Sequence, residues 1–420
     1  MTRTATSVRT PARSPRRLLP LSALALVGGL ITGGLLYAGP LDPPAGPVTS
    51  TMKTLTEVEP RTAINAANTP GDNDATPSLF KITLPGSYYL TGNITGVVGR
   101  HGIEIVASGV TLDLNGFELR GVAGSLDGMS TTVSGLTNIG VVNGSVRTWG
   151  GDGIDLGSMT ATNCRVDGVR ASGNAGTGIR VGETTGVTNC EASNNVGSGI
   201  AAGGRCVISA CSATGNTTHG ISGAFSCVVN ACAATSNGGN GIALGGASSV
   251  ANCSSSFNTG TGIFADGSST VSLCSSSVNG GNGIRSSFGS IIVGNICRQN
   301  GNGASDGAGI HVTGFHNRIE GNNCSTADCG IDVDLGGNII IKTTPFFPAS
   351  GPATSSFNGL HLKSKFLAIA GGVVFAQVPL TPPGALAPGM RALDQIVPRM
   401  PISSLPFPIS TAGSWANFSF

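Results

Sequence analysis

Between residues 174 and 300 one apolar–polar pattern repeats with a period of 21 residues. Gly-Ile steps begin at 178, 199, 220, 241, 262 and 283, with outlying copies at 102, 153, 309 and 330. Asn stands at 174, 195, 216, 237, 258, 279 and 300, and Cys at 190, 211, 232, 253 and 274. Counted from the glycine, apolar or small residues fall at positions 2 and 4, 8 and 10, and 13 and 15. In one unit these are Ile200 and Ala202, Cys206 and Ile208, and Cys211 and Ala213. A spacing of two is strand alternation. Three short strands per unit, separated by Gly and Asn, predict a three-sided coil. Successive coils then stack about 4.8 Å apart through parallel pairing. Helical repeats are excluded, because no 3.6-residue period runs through the units and Gly opposes helix. A propeller blade would need about 40 residues. The Asn amides are expected to bond up the stack at a tight turn, and the Cys column to lie inside as small hydrophobes.

Proline marks the boundaries. None occurs from Gly86 to Thr344, and eleven of the 22 prolines crowd between Pro345 and Pro408. A long Pro-free stretch fits continuous backbone pairing, since Pro cannot donate to a ladder. Before it, Arg3, Arg9, Arg13, Arg16 and Arg17 precede an uncharged, mostly apolar run from Leu18 to Ala38. That is the layout of a cleaved export signal or of a retained membrane anchor. Four parts result: residues 1–38, signal peptide or N-terminal anchor; 39–84, linker and N-terminal cap; 85–341, the coil body; and 342–420, a Pro/Phe-rich tail or cap. A short helical cap is expected near Thr62 to Asn68.

Composition supports the same picture. Gly numbers 66, charged residues are 10% and aromatics 5%, too few large side chains for a globular enzyme core. From Pro85 to Ile341 there are ten Arg, no Lys and fifteen Asp plus Glu. An acidic body argues against a nucleic-acid partner.

The strings Asn195 to Ile200 (NVGSGI) and Asn258 to Ile263 (NTGTGI) resemble repeats of the right-handed parallel β-helix, the pectate-lyase-like superfold. So do Val110 to Phe117 (VTLDLNGF) and Val141 to Val146 (VVNGSV), and Pro85 to Leu90 (PGSYYL) is similar to the first coil of secreted bacterial members. The fold class expected is all-β: a right-handed parallel β-helix of about 11 three-strand coils, with an N-terminal cap and an irregular C-terminal tail. The superfold hosts lyases, hydrolases, adhesins and proteins without activity, so the resemblance speaks to fold rather than chemistry. The motifs that the resemblance would bring for known chemistries are missing. There is no Arg-x-Pro-x-x-Arg, Asn-Thr-Asp or Asp-Asp, and Thr218 to Ser222 (THGIS) matches only part of a Gly-His-Gly-x-Ser segment.

Several candidate sites remain. Cys164, Cys190, Cys211, Cys232, Cys253, Cys274, Cys297 and Cys324 read as one inward column and Cys206 and Cys227 as another, all as free thiols. In-register neighbours have parallel Cβ vectors, which suit a disulfide poorly. A hydroxyl at 232 is then expected to cost about 1–3 kcal/mol. Gly150 to Asp155 (GGDGID) fits one calcium-binding nonapeptide, but later copies carry Ala243 and Arg285 where Asp is required. Calcium is the one cofactor considered. Position 3 faces outward, and its column closes on Arg285, His311 and Asp332 on three successive coils, with Asp334 on the same side. In a catalytic reading Arg285 holds a uronate carboxylate, His311 moves a proton and Asp332 orients the imidazole. The bland reading is a solvated charge ladder.

The function expected is that of an exported β-helix protein, secreted, periplasmic or at the cell surface. It binds extracellular carbohydrate or serves structurally, without catalysis. One alternative is a polysaccharide lyase or hydrolase acting on acidic polysaccharide through the Arg285, His311, Asp332 and Asp334 patch. A second is a metal-delivery or assembly β-helix. Membrane contact is expected only through an uncleaved N-terminal segment, and the oligomeric state is left open.

Overall fold

The computed structural model describes residues 59–158, 160–301, 307–325, 329–341, 343–346, 360–362, 367–370 and 373–375. The expected segment 1–38, residues 39–58 of the expected segment 39–84, and most of 342–420 lie outside them. The described residues form an all-β parallel solenoid of about 12 turns. Thirteen parallel strands make the Gly-Ile face, from Ser78–Ile82 to Leu360–Leu362, and eleven of them begin between residues 85 and 341. The isoleucine after each Gly stacks on its copy without a slip, from Ile154 and Ile179 through Ile310 to Ile331. These side chains are 0–1% exposed and form the spine of the core. Loops inserted before Gly309 leave this register intact.

The other two faces are ladders such as Val207–Ser209 and Ser212–Thr214. In the coils of Gly140–Arg147 and Arg165–Ser172 the two run as one eight-residue strand. Elsewhere a single left-handed residue divides them. Asn189 (φ 53°), Ala210 (53°), Ala231 (54°), Asn252 (55°) and Leu273 (54°) occupy this corner in turn. A left-handed Ala or Leu costs roughly 1–2 kcal/mol, so the stack around it must hold the corner in place.

The hydrogen bonds show how. The residue after each left-handed one turns its N–H out of the strand ladder, and the side chain at the same position one coil later accepts it. At the Asn corner, Asn195 Oδ1 accepts both the backbone N–H (3.0 Å) and the amide Nδ2 (2.9 Å) of Asn174. The same pair of bonds recurs up to Asn300, every rung 0–1% exposed. The Cys corner works identically. Cys253 Sγ accepts the N–H of Cys232 (3.4 Å), and further on Asn295 Oδ1 accepts the N–H of Cys274 (2.9 Å). Each thiol also donates to a carbonyl of the coil before, as Cys211 does to Val187 (3.5 Å), just as Asn195 Nδ2 donates to Ala171 (3.2 Å).

Three expectations are corrected. The first apolar pair of each unit does mark two positions of one strand, as in Ile242–Leu244, but the second and third do not: Cys206 and Cys211 sit at corners, Ile208 and Ala213 at strand centres. The eight cysteines do not form one column. Cys190 to Cys274 do, continued by Asn295 and Asn322. Cys164 belongs with Thr185, Cys206, Cys227 and Ser248, while Cys297 and Cys324 stand at strand centres in register with Ser276. The ten cysteines from Cys164 to Cys324 are free and buried. There is also no helix near Thr62. Thr62–Ala63 pairs with Tyr88 and Tyr89, and Asn65 Oδ1 accepts the N–H groups of Ala67 and Asn68 in a local turn. At the far end the strands continue beyond residue 341 and close on an antiparallel pair, Leu367–Ala370 with Val373–Phe375.

Because the thiols act as polar plugs rather than hydrophobes, the cost of a hydroxyl is revised. Cys232→Ser keeps an acceptor for Cys211 N–H, as Ser248 does for Cys227, and should cost under about 1 kcal/mol. Cys232→Ala strands that N–H and should cost about 1–3 kcal/mol. Asn237→Ala strands two donors of Asn216 and should cost about 2–4 kcal/mol. Urea denaturation of the three variants checks the ranking; Ser as costly as Ala at 232 would falsify the plug assignment.

Candidate functional site

Register carries the outward column of the Gly-Ile face further than the period allowed. Lys81 aligns with Glu104, Glu104 with Ser130 and Ser130 with Asp155, upstream of Arg180. The centre of the face is Ala201, Ser222, Ala243 and Phe264, and Arg285, His311 and Asp332 close it. Charge therefore gathers at both ends of an inert middle. The upstream end was not read from the sequence, because its rungs are 23 to 26 residues apart rather than 21.

That upstream cluster is closed on itself. Glu104 is fully buried and takes Lys81 Nζ (3.1 Å), Thr76 Oγ1 (3.1 Å), Ser78 Oγ (3.2 Å) and Thr132 Oγ1. The calcium-like segment is committed as well. Asp152 accepts the N–H of Thr177 and Nε of Arg180 (2.6 Å), and Asp155 accepts the N–H groups of Gly157 and Ser158. Burial pushes the Asp152 carboxyl above its ordinary value, and Arg180 offsets part of that. Asp152 belongs to a fourth corner ladder, in which the side chain accepts the N–H of the next coil rather than the previous one. His219 Nδ1 does the same for Asn240 (3.0 Å), and Asn240 for Thr261 (2.8 Å). This is the role of His219 in its partial motif.

At the downstream end the structure brings together three of the four expected residues. His311 Nε2 lies 3.2 Å from Asp334 Oδ2 and 3.5 Å from Asp332 Oδ2. Arg285 stays apart, its guanidinium carbon 5.7 Å from the centroid of the Phe264 ring on the coil before. Arg285 is exposed, but His311 is only 4% and Asp332 only 3% exposed. The expected solvated patch is thus a buried pair beside one accessible cation. Asp334 approaches the imidazole more closely than Asp332, the orienting residue expected from register alone. Burial of the site depends on what packs over it, and no repeat pattern encodes that.

The other ring nitrogen is also engaged. Asn282 Oδ1 accepts the N–H of Ala308 (2.8 Å), and a backbone N–H only donates, so the orientation of this amide is fixed. Asn282 Nδ2 then faces His311 Nδ1 at 3.4 Å and donates to it. This tautomer leaves the proton on Nε2, aimed at the carboxylates. One ligand atom from each of His311, Asp332 and Asp334 lies within 4.8 Å of the others, close enough to share a cation. A metal on Nε2 would need the Nδ1 proton to meet an acceptor, and the amide of Asn282 presents a donor instead. The triad fits a hydrogen-bonded clasp better than a metal centre.

A groove of about 840 Å³ follows the left-handed corner between the other two faces, away from this cluster. It passes seven coils at Gly116, Asn143, Gly168, Asn189, Ala210, Ala231 and Asn252, about 29 Å at one coil per 4.8 Å. Small outward side chains leave it open, and Arg170 and Glu191 stand in it side by side in register. The sequence shows the corner residues as the position before each Cys, but not that they are concave.

No known family pattern matches the chain, and no curated protein matches it. Solved structures do resemble its fold. The A-module of the Azotobacter vinelandii mannuronan C-5 epimerase AlgE4 aligns with a TM-score of 0.53 at 16% identity, over 68% of this chain and 90% of that one. The A-module of AlgE6 from the same organism gives 0.47 at 18%, over 68% and 91%. The Dettilon tailspike protein gives 0.47 at 14%, over 69% and 60%. The shared feature is the parallel β-helix, consistent with the pectate-lyase-like right-handed form that the repeats resemble.

The clasp makes a spectroscopic prediction. In 15N-labelled protein the His311 ring should show the Nε2–H tautomer. Asn282→Asp keeps an acceptor for Ala308 N–H but turns the other atom into an acceptor, and should move a proton onto Nδ1. A wild-type ring already protonated at Nδ1 contradicts the assignment of the amide.

Proposed function

We propose that this chain is an exported carbohydrate-binding β-helix protein that holds an extended polysaccharide along its corner groove, without turning it over. The groove carries this reading. It presents a small residue, Gly, Ala or Asn, once per coil over seven coils, which suits a polymer better than a compact ligand. Arg170 supplies a cation for a uronate carboxylate, and Asn143, Asn189 and Asn252 supply amides for hydroxyls. The name of the best-aligned structure given above records action on mannuronan, and the fold it shares with this chain supports a carbohydrate ligand. The lyase or hydrolase reading is the weaker one. His311 and Asp332 are buried, both ring nitrogens are occupied, and Arg285 is turned toward Phe264.

Affinity electrophoresis against polyuronates and neutral glucans tests the proposal. Retardation by at least one polyuronate is expected, weakening as salt rises because the ion pair is exposed. Arg170→Ala should lower polyuronate affinity about three- to tenfold and flatten the salt dependence, with thermal stability unchanged. Wild-type protein that migrates freely through every polysaccharide overturns the proposal. Product release that disappears in His311→Ala restores the catalytic alternative.

A further inference from the structure

The cysteine corner has a property that the asparagine corner lacks. Cys190, Cys211, Cys232, Cys253 and Cys274 make the same two contacts on five successive coils. Each sulfur reaches the carbonyl two residues earlier at 3.1–3.3 Å and a carbonyl of the preceding coil at 3.5–3.7 Å. Identical settings place neighbouring sulfurs one coil rise apart, about 4.8 Å. Two metal–thiolate bonds of about 2.3 Å, end to end, span about 4.6 Å. The rise of the coil thus equals the reach of a linear sulfur–metal–sulfur unit. Backbone N–H groups serve this ladder as donors, that of Cys232 to the Cys253 sulfur at 3.4 Å. They would stabilise thiolates as they now serve thiols.

Access separates this column from the other. Cys190, Cys211 and Cys232 border the groove and are 2–3% exposed, whereas Cys206 and Cys227 at the neighbouring corner are fully buried. Glu191, also in the groove, offers a carboxylate to an incoming cation.

We propose that the column from Cys190 to Cys274 binds a soft monovalent cation, Cu(I), two-coordinate between sulfurs of adjacent coils. Thiolates select soft ions, and Zn²⁺ is disfavoured because it asks for four ligands in a tetrahedron while each gap offers two sulfurs. In the binding step two S–H bonds break, two S–Cu bonds form and two protons leave to solvent. No electron is transferred, and the product carries one net negative charge, shared with the N–H donors above. Five thiols hold at most two such ions. Because two protons are released for each ion bound, uptake should strengthen as pH rises. This site is independent of the carbohydrate proposal.

The test exploits adjacency. Fully reduced, full-length protein is titrated anaerobically with Cu(I) against a chromophoric Cu(I) chelator. Cys211→Asn with Cys253→Asn leaves three thiols but no two adjacent. Cys190→Asn with Cys274→Asn also leaves three, all adjacent. Asn is the replacement because Asn295 and Asn322 already continue this ladder. The first variant should lose uptake at least tenfold, and the second should keep one ion. Cys227→Ser, in the sealed column, should leave uptake at the wild-type level. Wild-type protein that cannot compete with the chelator, or equal behaviour of the two double variants, overturns the proposal, provided circular dichroism shows both folded.

Discussion

Every corner of this solenoid must find an acceptor for a backbone N–H that the turn has pulled away from the strands. A buried N–H left without a partner costs about 1–3 kcal/mol, and a stack of coils multiplies that at each corner. The chain solves the problem by translation, since the partner is always the same position one coil away. Asn195 serves Asn174, Cys253 serves Cys232 and Ser248 serves Cys227. The ladder beside the Gly-Ile face runs the opposite way, with His219 serving Asn240. The strict 21-residue period follows from this demand. A coil one residue longer at a corner would move its acceptor off the waiting N–H. The longer spacing before Gly309 is accommodated without breaking the alignment of Ile284 with Ile310.

The same demand limits what the surface offers. Inward positions and corners are consumed by packing and by ladders, and only outward strand positions and the concave corner are left for ligands. On the Gly-Ile face the outward charges have paired among themselves, Glu104 with Lys81 at one end and His311 with Asp332 and Asp334 at the other. At the left-handed corner Ala210, Ala231 and Asn252 are too small to fill the space outside them, and a groove remains. A binding role built on repetition follows from that distribution more directly than a catalytic one built on a single constellation.

Much of the fold was legible because one residue type at one spacing reports one contact. The Asn column, the Ile spine and eleven of the coils could be read that way. Reading failed where two positions lie close together. A count of 21 from Cys274 reaches Asn295, and Cys297 lies two residues further, so following the residue type instead of the count assigned it to the wrong column; the register with Ser276 shows it at a strand centre. Strand boundaries shifted for a related reason, since a corner residue and a strand centre are also two apart and both buried. For the candidate site, register identified the neighbours of His311 correctly, yet gave neither its burial nor the inward approach of Asp334. Those depend on side chains such as Asn282 that no strictly repeated residue type marks.

The cysteines show where structural need and chemical capacity part. At the corner they share with Asn295 and Asn322, a thiol does the work of an amide: it accepts an N–H and donates to a carbonyl. An amide does this with shorter, stronger bonds, as the 2.9 Å from Cys274 N–H to Asn295 compares with 3.4 Å from Cys232 N–H to Cys253. On stability alone, Asn is the better plug. Five thiols in succession therefore cost the ladder some strength, and three of them, Cys190, Cys211 and Cys232, border the groove. What they add is a soft ligand every coil, at a spacing that backbone pairing fixes and no side-chain rotation needs to find. A two-coordinate ion would meet that spacing with little rearrangement, and the entropy of bringing its ligands together has already been spent in folding the coils.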